Sequence, residues 1–147
     1  MYALFCNLNI MASENLNTTQ LKRQLLDNQQ QSLMNQETAV SMDLCTAKMN
    51  ASKELSALYE KLADESLSDA ARSAINSQVQ AIQNKLQLQE QSLNLQTQEL
   101  GMQENGIESQ SKSLESQITK LSKEIENIED AEKDAIENAT PQYKGLG

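Results

Sequence analysis

The densest set of chemistry-bearing side chains lies near the C-terminal end: Glu124, Glu126, Glu129, Asp130, Glu132, Asp134 and Glu137. Carboxylates in such number bind hard cations or basic partners, and a pair can act as acid and base where a pocket raises one pKa. A single helix supplies no such pocket, so the run reads as a solvated helix flank. The chain has no histidine. That removes Ser–His–Asp and Cys–His nucleophile pairs, most zinc sites and the carboxylate–His di-iron arrangement. Gly101, Gly106, Gly145 and Gly147 form neither a phosphate-cradling loop nor a dinucleotide fingerprint, and no spacing matches a calcium loop. Cys6 and Cys45 are too few and too far apart for a disulfide framework or a metal knuckle. Cys45 falls within a helical pattern and reads as a small hydrophobe. No catalytic, cofactor-binding or metal-ligating residue is assigned. The expectation is a protein that is not an enzyme and uses no cofactor.

Charge narrows the partners. The chain carries 12 basic and 21 acidic residues, a net charge of −9 and a pI near 4.5. Nucleic-acid binding depends on clustered Lys and Arg that neutralise phosphates and release counterions. Here the basic residues are scattered, which argues against nucleic acid and against anionic membrane surfaces. No run approaches the roughly 20 apolar residues of a membrane-spanning helix. Residues 1–12 begin with the apolar cluster Met1 to Met11, which shows no helical periodicity and lacks the basic region and cleavage site of a signal peptide. They are expected to form an N-terminal arm, either frayed or docked. Met11-Ala12-Ser13-Glu14 reads as an ordinary protein start, which makes the preceding residues a candidate unused upstream start. The compartment is not legible: the expectation is cytoplasmic, or exported without a cleavable signal.

The elements that would carry any function are helices. Aromatic residues make up only 3% and there is one Phe and no Trp, so burial must run along Leu, Ile, Met and Ala seams. No glycine or proline precedes residue 101, which leaves too little turn chemistry for a β-rich fold. From 13 to 64, Leu26, Leu33, Val40, Leu44, Ala47, Ala51, Leu55, Leu58 and Leu62 fall on one helical stripe. Residues 65–68 break the phase, with Ser68 suited to an N-cap and Asp69 to a first helical turn. From 69 to 138 a row seven residues apart runs Val79, Leu86, Leu93, Leu100, Ile107, Leu114, Leu121, Ile128 and Ala135. Gly101 and Gly106 weaken this helix, and a break at 101–106 would give three helices. The unbroken phase favours one. Pro141 is expected to end it, leaving 139–147 as a flexible tail.

The expected architecture is all-α: a long antiparallel helical hairpin, coiled-coil-like, and oligomeric. Two surfaces stand out as interaction sites. Leu114, Ile118, Leu121, Ile125 and Ile128 form an a/d seam on the part of the second helix expected to overhang the first. Leu88, Leu95 and Met102 each follow the inner row by two residues, about 200° around the helix, and point away from the first helix. Lesser candidates are a stripe of Met34, Met42 and Met49, which repack readily, the edge row Gln89, Gln96, Gln103, Gln110 and Gln117, and Tyr143 as a docking anchor. Apolar patches of this kind usually mark contacts. The expected role is a self-associating structural or assembly subunit of a filament, sheath or multi-chain bundle. The alternative is an adaptor or secretion-chaperone-like module that sequesters a partner's amphipathic helix. Partners are therefore further copies of the chain or other helical proteins.

Overall fold

The computed structural model describes residues 2–145, with side chains through Ala139. It consists of two long helices packed against each other, α1 at Tyr2–Leu62 and α2 at Asp69–Gly145. No strand occurs among the described residues. Both helices are rich in Leu, Ala, Gln, Glu and Lys, residues that lose little freedom in a helix. Contacts divide the chain into two units. One comprises Gln31–Glu104 and holds the turn; the other joins Met1–Gln30 to Asn105–Gly147.

In the turn-bearing unit Leu33, Ala51 and Leu58 of α1 and Val79 and Leu100 of α2 are buried. Val40, Leu44, Ala47, Leu55, Ile75, Ile82, Leu86 and Leu93 are half-buried between them. Spacings of three and four keep these positions on one side of each helix. The helices run antiparallel: Ala47 and Ala51 border a crevice with Ile82 and Leu86, while Gln36 and Val40 border one with Leu100 and Gln103. Lys48 Nζ meets Glu90 Oε1 at 3.1 Å across the pair.

The turn closes both helix ends. Ser68 Oγ accepts from the Ala71 backbone N–H at 3.2 Å, the bond of an N-cap. Asp69 adds an acidic residue to the first turn of α2, where the helix dipole favours it. The Arg72 guanidinium reaches back to α1, donating to the Leu62 and Asp64 carbonyl oxygens at 3.3 Å each. Those are acceptors that a helix C-terminus otherwise leaves to water. Asp64 Oδ1 accepts from the Ser66 hydroxyl at 2.6 Å and from its backbone N–H at 2.9 Å.

In the other unit Ala12, Thr19 and Leu26 of α1 are buried. Thr19 satisfies its hydroxyl on the Asn15 carbonyl at 2.8 Å. On α2 the half-buried apolar positions are Ile107, Leu114, Ile118, Leu121, Ile125, Ile128 and Ala135. The two segments are again antiparallel, with Arg23 Nη2 and Glu115 Oε1 paired at 2.7 Å.

Several sequence expectations need correction. Residues 1–12 do not form a non-helical arm: α1 begins at Tyr2, and Phe5, Cys6, Asn9 and Ala12 continue its inner face. The first helix ends at Leu62 and not at 64, where Arg72 caps it. At 101–106, where the unbroken phase favours one continuous helix over a break, α2 passes through both glycines, and no glycine among the described residues has positive φ. Pro141 does not end α2, which continues to Gly145. A proline withdraws one N–H from the ladder and crowds the preceding turn, but the remaining bonds can carry the helix past it. The side chain of Tyr143, proposed as a docking anchor, lies outside the described residues, as do Leu146 and Gly147 at the end of the expected tail.

Candidate interaction surface

On α2 of the turn-bearing unit, Leu86 and Leu93 are half-buried and Leu100 is buried against α1. Two residues further along is about 200° around the helix, so Leu88, Leu95 and Met102 face away from the contact. They are 66%, 66% and 68% exposed. Asn84, Lys85, Gln91, Ser92, Gln98 and Glu99, all exposed, flank this row at offsets of three and four residues. Neutral amides and hydroxyls lose much less on leaving water than charges do. Most of the flank is therefore cheap to desolvate, with Lys85 and Glu99 as its charged members.

α1 of the same unit carries a second exposed group, Met34, Met42 and Met49, with Cys45 beside it. It lies level with the α2 row, because Gln36 to Asp43 border the same crevice as Gln96 to Gln103. Gln89, Gln96 and Gln103 line the crevice edges, and Gln110 and Gln117 do so in the other unit. All five are exposed.

The expected overhang is absent, and with it the unpaired seam. Leu114 borders a crevice with Leu25 and Leu26, and Leu121 borders one with Asn15 and Thr19. Leu114, Ile118, Leu121, Ile125 and Ile128 are all half-buried. Residues 15–29 of α1 border the Leu114 to Leu121 part of this stretch. Apart from Ile136 on α2, the exposed large apolar residues described in that unit lie on α1, at Tyr2, Leu4, Leu8, Ile10, Met11, Leu21 and Leu25. These were missed as candidates, although their apolar character was visible; only a continuous α1 places them on an outer face. Arg72 was missed too, and its signal was an arginine just inside the start of α2 beside a polar turn.

Titratable groups are arranged for surface contacts. Of the acidic run, Glu132 is half-buried and the rest are exposed. No group of His, Cys, Asp and Glu among the described residues is placed to hold a metal ion. Glu108 and Lys112 pair at 2.7 Å one helical turn apart, which lowers the carboxyl and raises the ammonium from their ordinary values. Hydrogen bonding to Cys6, with Glu132 nearby, raises the Tyr2 phenol. An open surface crevice of about 690 Å³ is bordered by Lys22, Lys120, Lys123 and Glu124. Among the described residues no helix is long and apolar enough to cross a membrane.

No family model matches the chain, and neither does any curated protein or solved structure.

Proposed function

We propose that the protein is a non-enzymatic assembly subunit that associates with copies of itself through the outer faces of its helices. The observation that carries this is the row Leu88, Leu95 and Met102, all about two-thirds exposed on the side of α2 turned from α1. Isolated exposed leucines are ordinary, but a regular apolar row flanked mainly by neutral amides and hydroxyls supports a contact surface. The amount of exposed surface supports the same reading. The chain presents 10992 Å² to solvent, whereas a compact monomer of 16.4 kDa presents about 7,500 Å². Among the described residues no large side chain is fully buried. A core that thin gains from any surface a second copy covers.

The test is the triple variant Leu88→Gln, Leu95→Gln and Met102→Gln. Glutamine keeps helix propensity and suits a solvated face, so circular dichroism should report unchanged helix content. Light scattering coupled to size exclusion should report a loss of mass relative to the parent. A variant that stays helical and associates as the parent does would place the contact elsewhere.

The exposed stripe Met34, Met42 and Met49 favours a second reading, an adaptor that takes up a partner's amphipathic helix, because Met surfaces repack around varied ligands. Negative-stain electron microscopy separates the two. Fibres, tubes or sheets support the subunit; small discrete particles support the adaptor.

A further inference from the structure

We infer that the crevice between α1 and α2 in the unit of residues 1–30 and 105–147 binds a compact polyanion carrying phosphate groups. The charge there is the reverse of the chain's. Acidic residues outnumber basic ones by 21 to 12 overall, whereas the crevice is bordered by Lys22, Lys120 and Lys123 and by a single carboxylate, Glu124. Arg23, Lys48 and Lys112 are each held in an ion pair, and among the described residues the three crevice lysines are in none. Lys120 and Lys123 are three apart on α2 and so are surface neighbours, while Lys22 stands on α1 at the other side. Like charges gathered in this way repel one another, and an anion placed among them relieves the repulsion.

The space has a cause in the sequence. Ala12, Thr19 and Leu26 are seven apart and all buried, so Thr19 holds a seam position with a short side chain. Its hydroxyl is turned to the Asn15 carbonyl of its own helix. A small residue across from Leu121 leaves the seam open there. At about 690 Å³ the crevice is in the size range of small-molecule sites. Asn15, Thr18 and Asn127 are exposed along it and offer uncharged donors to phosphate oxygens. Lysine serves phosphate as a point charge, whereas a planar carboxylate is met best by the arginine fork, and Arg23 is already paired with Glu115. Three cations are too few to hold a nucleic-acid strand tightly. A ligand with several charges in a small volume suits them.

The experiment titrates the full chain with sodium tripolyphosphate at low ionic strength, by isothermal titration calorimetry, with circular dichroism to check the helix content of each variant. The parent should bind a single equivalent per chain, more weakly as salt is added. Lys120→Gln combined with Lys123→Gln should raise Kd roughly tenfold. Lys22→Gln alone should raise it too, because the site spans both helices, and Glu124→Gln should lower it. The charge-matched controls Lys53→Gln with Lys61→Gln, and Glu60→Gln, lie in the turn-bearing unit and should alter Kd little. Flotation with vesicles containing phosphatidylinositol bisphosphate identifies the source of the phosphates. Co-flotation that the lysine variants lose assigns a lipid headgroup, and its absence assigns a free polyphosphate. The anion site is overturned if tripolyphosphate shows no saturable binding, if Lys22→Gln and Glu124→Gln bind as the parent does, or if the controls weaken binding equally. Self-association is read separately by light scattering and does not depend on these outcomes.

Discussion

Ser68 and Arg72 close two helix ends by different chemistry. Ser68 satisfies an amide at the start of α2, and Arg72 satisfies carbonyls at the end of α1. Ser68→Ala should lower stability by about 1 kcal/mol, measured by urea denaturation at fixed protein concentration. Asp64 contributes through its two bonds from Ser66, hydroxyl first, which hold its carboxyl below the ordinary value. A depressed carboxylate stabilises the fold above its unfolded pKa, and that contribution is lost as pH falls through the folded value. Ser66→Ala should therefore narrow the stability difference between neutral and acid pH, and the variant and parent should converge in melting temperature in acid. Gly101 and Gly106 are ordinary helical positions with open space where a Cβ would stand. Each Gly→Ala change should raise stability by up to about 1 kcal/mol. A fall in melting temperature at either site would contradict an unbroken α2.

At the scale of elements, the N-terminal turns of α1 carry the largest revision. Deleting residues 1–12 removes the inner-face residues Phe5 and Ala12. It should reduce helix content by more than the deleted residues and lower the melting temperature, both read by circular dichroism. Unchanged melting would mean that these turns stabilise nothing. The reason they were illegible in the sequence is contrast. Leu4, Leu8, Ile10 and Met11 lie on exposed positions while Asn9 and Thr19 lie on the inner face, so apolar residues surround the helix and periodicity vanishes. Where the inner row is apolar and the flanks are polar, as from Val79 to Leu100, spacing located the buried face. Leu88, Leu95 and Met102 were legible for the same reason, since a fixed offset of two from a buried row fixes an outer face. The seam from Leu114 to Ile128 was recognised as a seam but given no cover, although Leu114 and Leu121 face Leu25, Leu26, Asn15 and Thr19, which the expected first helix already contained.

At the scale of the whole molecule, exposed surface links stability to concentration. Any copy that covers an outer face binds the folded chain and not the unfolded one, so the melting temperature should rise with protein concentration. The triple Gln variant should lose that dependence while keeping its helix content. A melting temperature independent of concentration in the parent would count against self-association.

The turn also sets an order of events. Arg72 joins residues only 8 to 10 apart in sequence, whereas Arg23 and Glu115 are 92 apart. Closing a long loop costs more entropy than closing a short one, and that cost falls if the intervening chain is already paired. The chain should therefore zip from the Ser68 end outward, with distant pairs forming last. Kinetics would record this as an asymmetry between two mild substitutions: Ser68→Ala chiefly slows folding, while Ala12→Gly at the far end chiefly speeds unfolding.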